Sequence, residues 1–433
     1  MRKSADQDTV TQLPTRKYLE EQLTLKLETS ETAPYLALLH FDIIRFKMIK
    51  YTLGYQIAEE LLVQITETLQ SHLPKNSILA KISSDEFAIL IEGIETIEQG
   101  KHWAEYFLQL LISPFAISGH QLFTQIKAGL VLSWQWQRSA KDLLQGAEIA
   151  VQEAKLSTTQ NYAIFNPQMQ ASAIARLQLD NEMRDSLAQE RFQLYYQPIV
   201  ALDTGEIRGF EALLRWQKEG QWLSPETFIP VAEETGFIIA LDRWVLRQAC
   251  QQMQQWRLQW QVQFWVSVNI SAVELIQPHF LDEMDSILAE TGLPPEQLKL
   301  EITETTVMKN AEQVTVILQE LKARKIRLCL DDFGTGYSSL SYLREFPFDV
   351  IKIDRSFVSQ LETDSINFNL IQAMTLLANH LNLGTIVEGI ETAEQLELLK
   401  QLSCQQGQGY LFARSLPPSE VEALLAQDNR IIS

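Results

Sequence analysis

Two adjacent carboxylates, Asp331 and Asp332, close an apolar run of strand length, Leu328-Cys329-Leu330, and lead into Phe333-Gly334-Thr335-Gly336-Tyr337-Ser338-Ser339. That loop carries two glycines and a row of hydroxyls. Side chains alternate faces along a strand, so neighbouring aspartates converge on one site only where the strand stops and the backbone turns. A strand end of this kind can hold a metal; an Asp-Gly turn between elements is the plainer reading of the segment alone. The other strand ends decide between the two. After Arg191, apolar runs at residues 192–200, 207–216, 264–270, 298–303, 327–333, 350–354, 385–390 and 408–412 alternate with stretches long enough for a helix. Their polar ends present Glu211, Asn269, Glu301 with Glu304, Asp331 with Asp332, Lys352 with Asp354, Glu388 and Gln408.

Eight such units suit a TIM-like (β/α)8 barrel, in which active sites sit at the C-terminal ends of the strands. The first connection, residues 202–206, is short enough for a hairpin, so the first strand is expected to run antiparallel to the next. In a barrel all of these ends meet on one rim. Carboxylates gathered there with a single lysine repel one another unless cations lie between them. Hard oxygen ligands without His or Cys pairs point to Mg²⁺ or Mn²⁺ rather than zinc.

The 433-residue chain exceeds one typical domain. Its net charge of −19 argues against a binder of nucleic-acid polymers, since no basic stripe is available to neutralise phosphates. Three widely spaced cysteines, Cys250, Cys329 and Cys404, fit reduced core thiols better than a disulfide framework. No apolar run reaches membrane-spanning length and the first residues lack a signal-peptide pattern, so the chain reads as soluble and cytoplasmic.

The N-terminal third reads as an α/β unit. Helical stretches are expected near residues 18–27, 56–69, 98–111 and 141–156, with a strand at 35–42 that ends on Asp42. A hairpin over 78–82 and 87–91 carries Ser83-Ser84-Asp85-Glu86 at its tip, and a further strand spans 123–132. Pro167 marks a junction, with helix-forming residues resuming from Ala171.

This N-terminal order resembles a GGDEF domain, the diguanylate cyclase family, over residues 6–166. Residues 8–16, Phe41-Asp42-Ile43, Phe46-Lys47, Gly54 and Asp85-Glu86-Phe87 carry the likeness. Ser83 and Ser84 stand where the family has two glycines, and a Cβ at each obstructs positive φ and close nucleotide approach. Lys50 and Glu59 align with the Asn and Asp that hold the guanine, while Asp42 and Glu86 align with the metal ligands. The resemblance implies a degenerate cyclase fold in a regulatory or dimerising role, with GTP or another nucleotide as its ligand. Residues 167–176 form the junction.

Residues 177–433 resemble an EAL domain, the cyclic di-GMP phosphodiesterase family. The likeness rests on Glu211-Ala212-Leu213-Leu214-Arg215-Trp216, Ser267-Val268-Asn269-Ile270-Ser271, Leu300-Glu301-Ile302-Thr303-Glu304, the Asp331-Asp332 loop, Ile351-Lys352-Ile353-Asp354, Val387-Glu388-Gly389-Ile390-Glu391 and Gln408-Gly409-Tyr410-Leu411-Phe412. The resemblance implies two ions, one held by Glu211, Asn269, Glu301 and Asp331 and a second bridged by Asp331 with Asp332 and Glu388. It further implies that Glu304 braces the loop 334–339, that Lys352 contacts or helps activate the attacking water, and that Gln408 supports the same region. Arg215, beside Leu213, would grip a substrate phosphate. Hydrolysis of cyclic di-GMP to linear pGpG and pairing of two copies through this domain follow from the same likeness. A non-hydrolysing cyclic di-GMP receptor, a bifunctional cyclase and phosphodiesterase, and a scaffold remain the alternatives. Each site residue also has a quieter reading, such as Lys352 serving as a charge partner of Asp354.

Overall fold

The computed structural model describes residues 6–29, 35–135, 139–157, 159–309, 311–335, 343, 345–362, 365–426 and 431. The chain divides into two compact units, Met1–Leu177 and Gln178–Ser433. Helix Pro167–Ala188 runs through that division, with Pro167 at its first turn, where the missing N–H costs nothing. It therefore begins four residues earlier than the sequence pattern suggests. Among the described residues no helix is long and apolar enough to cross a membrane.

In the first unit, strands β1 (Leu36–Ile44), β2 (Ser77–Lys81), β3 (Glu86–Glu92), β6 (Gln125–Leu132) and β7 (Tyr162–Ile164) form one sheet in the order β2-β3-β1-β6-β7, and β4 (Phe115–Ile117) pairs with β5 (His120–Leu122) as a separate hairpin. Strand β1 is central and sends alternate side chains into two cores. Ala37, Leu39, Phe41 and Ile43 meet the apolar face of helix Tyr55–Ser71, whereas Leu36 and Leu38 pack with residues of helices Arg16–Thr29 and Ala140–Leu156. The last of these helices opens on a capping box, Ser139 with Asp142, which fixes where it leaves the loop. Strand β1 runs two residues past Asp42, because Ile43 and Ile44 still pair with Ile126 and Gln125.

In the second unit, β8 (Phe192–Ala201), β9 (Ile207–Lys218), β11 (Trp265–Asn269), β12 (Leu298–Thr303), β13 (Arg327–Phe333), β14 (Val350–Ile353), β15 (Gly384–Val387) and β16 (Gln406–Gly407) close into an eight-stranded barrel; β10 (Gln221–Leu223) adds to β9 outside it. The first strand β8 is antiparallel to both its neighbours, β9 and β16, and the pairs from β9 through β11 to β16 are parallel. The antiparallel first strand is as the short connection requires. Inside the barrel Trp265 packs with Ile199 and Ile386, and it fits only because residue 209 is glycine: a Cβ there would lie 2.4 Å from the indole.

One expected strand is absent. Residues 408–412 form a turn, and the eighth strand is the dipeptide before them. The chain cannot continue straight at this point, because Gly409 is folded so tightly on Ile390 that a Cβ would sit 2.1 Å from the Ile390 carbonyl oxygen.

Candidate active site

The barrel mouth is organised around the Lys352 ammonium. Lys352 points inward from β14 and is 1% exposed. Its Nζ lies 2.6 Å from Glu301 Oε2, 2.7 Å from Glu388 Oε1, 3.1 Å from Glu211 Oε1 and 3.7 Å from Asp331 Oδ1. These carboxylates come from β12, from the turn after β15, from β9 and from β13, so closure of the barrel brings them together. Asn269 Nδ2 donates to Glu211 Oε1 at 3.0 Å, and Gln408 Nε2 donates to Glu211 Oε2 at 2.6 Å and Glu388 Oε1 at 3.0 Å. Glu211, Asn269, Glu301, Asp331, Lys352, Glu388 and Gln408 thus form one connected cluster. Asp354 is not the partner of Lys352: its Oδ1 accepts from the Ser356 N–H and caps the next short helix.

Two of these positions reach the mouth by a route other than a strand end. Glu211 lies mid-strand in β9, but the β9–β11 ladder ends at Ala212↔Val268, so the rim falls there while the β8–β9 ribbon runs on above it. Asp331 and Asp332 are gathered within β13, not beyond its end. The register slips between Leu330 and Phe333, and Asp332 adopts φ 54°, a bulge that turns the second aspartate without ending the strand. The Asp332 N–H donates to Asp331 Oδ1 at 2.9 Å.

Burial sets the charge state of the cluster. It pushes the Glu301, Asp331 and Glu388 carboxyls each up to about 7, with Lys352 opposing and neighbouring carboxylates adding to the rise. Burial also pushes Glu211 up, but Lys352, Gln408 and Asn269 overcome it and hold that carboxyl below its ordinary value. For Lys352, burial pulls down and the four carboxylates win, raising it well above the ordinary lysine value. With all groups ionised the four acids and one ammonium carry a formal charge of −3. Among the described residues Glu301 Oε1 and Gln408 Oε1 find no hydrogen-bond partner, and both are buried. Among the described residues the acids do not form a ready-made metal cage; they are drawn in on the lysine.

Arg215 is half-buried on the β8–β9 ribbon, donating to the Leu214 carbonyl and to Ser415 Oγ, both at 2.8 Å, and Leu213 pairs across the ribbon with Tyr195. Glu304 is buried at the start of helix Glu304–Lys309, but residues 336–339 of the loop it was expected to brace lie outside the described residues. Asp242 and Ser415 went unnoticed in the sequence. The Asp242 carboxyl, pushed up to about 7 by burial, accepts from the Ser271 N–H at 3.1 Å, just after Asn269.

In the first unit Asp42 and Glu86 are cross-strand neighbours. Lys155 Nζ lies 2.6 Å from Asp42 Oδ2, and His40 Nε2 lies 3.6 Å from Glu86 Oε2. The His40 ring nitrogen beside it is the main cause that takes the Glu86 carboxyl down to about 2, while burial raises Asp42 against the pull of Lys155. The sequence reading gave His40 no role, yet its place two residues before Asp42 puts both on one strand face. Ser84 Oγ donates to Asp85 Oδ1 at 2.6 Å, and neither Ser83 nor Ser84 has positive φ. The turn has been rebuilt without the glycine conformation. Beside it lies a cavity of about 380 Å³ lined by Arg16, Lys17, Lys50, Glu59, Lys81 and the two serines.

Comparison with known proteins agrees with this division. The EAL domain family matches residues 180–415, and the family described as diguanylate cyclase, GGDEF domain, matches residues 5–161. The bifunctional diguanylate cyclase/cyclic di-GMP phosphodiesterase MucR of Pseudomonas aeruginosa is 33% identical over 97% of this chain and 61% of its own length. The cyclic di-GMP phosphodiesterase NbdA of the same organism is 34% identical over 98% of this chain and 54% of its own length. A solved structure of the PaMucR phosphodiesterase in complex with c-di-GMP superposes with a TM-score of 0.55 at 38% identity, covering 56% of this chain and 99% of that one. The chain spans 51–61% of the length of the first curated relatives it matches. With a mouthful of acids on a closed barrel and both family matches in sequence order, the chain belongs to the EAL domain family and carries a GGDEF domain ahead of its EAL domain.

Proposed function

We propose that the second unit hydrolyses cyclic di-GMP to linear pGpG, and that the first unit is an inactive cyclase fold in a regulatory role. The observation that carries the reading is the convergence of Glu211, Glu301, Asp331 and Glu388 on one buried point, with Asn269 and Gln408 bonded into the same group. The excess negative charge and the buried unpaired Glu301 Oε1 fit divalent cations, Mg²⁺ or Mn²⁺. Glu211, Asn269, Glu301 and Asp331 would hold one ion, and Asp331, Asp332 and Glu388 the second. Bound there, the cations supply Lewis-acid polarisation of the phosphodiester and lower the pKa of the attacking water.

The chain's own residues do the rest. Lys352, whose ammonium lies among the four carboxylates, would orient the water as an N–H donor. Glu388, whose side chain is the most exposed of the four acids at 20%, is placed to receive the water's proton. Water adds in line to phosphorus, the bond to the ribose 3′-oxygen breaks, and the departing 3′-alkoxide takes a proton from solvent as the ring opens to pGpG. Arg215 grips a phosphate with the guanidinium N–H groups that Leu214 and Ser415 leave free. In the first unit Asp42 is paired with Lys155 and Glu86 lies beside the His40 ring, which supports a silent cyclase site, while the cavity beside Ser83 and Ser84 supports a retained nucleotide ligand, GTP or another. Pairing of two copies through the second unit belongs to the same proposal.

The test is incubation with cyclic di-GMP and Mg²⁺, following linear product for wild type and Glu211→Ala. Loss of a cation ligand is expected to lower turnover by at least ~10²-fold. Wild type that binds cyclic di-GMP without forming pGpG would instead make the protein a receptor.

A further inference from the structure

We propose that the opposite, N-terminal face of the barrel carries a second site, one that binds a small phosphate-class oxyanion. A cavity of about 830 Å³ opens there, and its lining fixes its place: Trp265 and Arg327 are the first residues of β11 and β13, and Ala201 is the last of the antiparallel β8. Arg208, Arg327 and Lys400 line it against one acid, Asp203, in a chain whose net charge is −19.

Two cations make this more than a solvated basic patch. Arg208 is paired with Glu206 and Lys400 with Glu397, but among the described residues neither Arg327 nor Lys299 has a carboxylate at ion-pair distance. Lys299 and Arg327 are direct partners in the parallel β12–β13 ladder, so two like charges stand side by side. Lys299 is 1% exposed, and its ammonium rests 3.1 Å from the centre of the Trp265 ring, the same ring that forms the cavity wall. A cation–π contact offsets only part of what burying an ammonium costs, and it does nothing for the repulsion from Arg327. An oxyanion in the cavity would accept from Arg327, whose planar fork suits phosphate, and would bring negative charge to the Trp265 wall on which the Lys299 ammonium rests. Arg208 and Lys400 stand at its rim as further donors.

The site is tested on the full chain with inorganic phosphate as probe, at constant ionic strength set by chloride, reading the thermal midpoint and ³¹P line broadening. Phosphate should raise the midpoint with millimolar saturation. Arg327→Gln should weaken the apparent affinity at least tenfold, and Lys299→Met should weaken it while folding normally, since a methionine fills the same space. Glu211→Ala, at the other end of the barrel, should bind phosphate as wild type does. The proposal is overturned if phosphate acts no more strongly than chloride on wild type. It is equally overturned if Arg327→Gln keeps its phosphate affinity within twofold, or if Glu211→Ala loses it.

Discussion

Replacing Lys352 by methionine tests the electrostatic reasoning most directly, because one ammonium holds four acids and the substitution keeps the stem volume. In chelator at pH 8 the variant leaves Glu211, Glu301, Asp331 and Glu388 buried with no cation among them. Removing one partner of a buried ion pair costs about 3–5 kcal/mol. For a unit of this size that lowers the melting midpoint by roughly 6–20 °C. The loss must shrink at acid pH. Burial pushes three of the four carboxyls up to about 7 even against the pull of Lys352, and without the ammonium they rise further, so at acid pH they take up protons and need no counter-ion. Differential scanning calorimetry of wild type and Lys352→Met in EDTA, at pH 5.5 and pH 8, separates these expectations. Adding Mg²⁺ at pH 8 should then stabilise the variant more than wild type, since the ion would take over the missing charge. A variant whose barrel transition matches wild type within about 1 °C in chelator at pH 8 would refute the counter-ion role.

The wild-type barrel in chelator should lose stability as pH rises from about 5 to 7: the folded state holds protons on Glu301, Asp331 and Glu388 that the unfolded chain has released, so unfolding is favoured by higher pH. Urea melts across that range check the sign, and a rise in stability would contradict it. Gly209→Ala should destabilise the barrel by about 1–3 kcal/mol, because its Cβ would meet the Trp265 indole; a neutral effect in a urea melt would mean that Trp265 is free to move. Arg215→Ala should raise KM for cyclic di-GMP with kcat little changed, as expected for a phosphate grip shared by ground and transition states; an equal loss in kcat would place Arg215 in the chemistry. Residues 1–177 should form no cyclic di-GMP from GTP and Mg²⁺ in an assay by mass spectrometry, since Lys155 and His40 already occupy the two acids.

Much of this was legible in the letters because strand periodicity and polar strand ends are local signals. The barrel, its antiparallel first strand and the identity of the mouth residues all followed from runs and connection lengths. What stayed hidden depends on partners distant in sequence. Nothing near residue 352 says that its ammonium will contact Glu211, Glu301, Asp331 and Glu388 at once instead of the nearby Asp354. The bulge at Asp332 is set by slippage between β13 and β14, and no residue from Leu330 to Phe333 is a glycine that would announce it. The dipeptide strand before Gln408 is too short for any periodicity to mark. His40 was missed for another reason: it was weighed for metal-ligand spacing with other histidines, when its partner is a glutamate on the next strand.

Both units carry clustered acids, and the contrast in how these are paired supports the different roles proposed for the two units. In the first, Asp42 is paired with Lys155 at 2.6 Å and Glu86 has the His40 ring 3.6 Å away, so each acid has a basic neighbour of its own. In the second, four acids share one ammonium, and an unpaired carboxylate oxygen is buried among them. Burial raises the carboxyls in both units; in the second it wins at Glu301, Asp331 and Glu388, whereas in the first the His40 ring beside Glu86 outweighs it and takes that carboxyl down to about 2. A cluster in which four buried acids share one ammonium is suited to gather divalent cations and a phosphodiester, and one in which each acid has its own basic neighbour is less so.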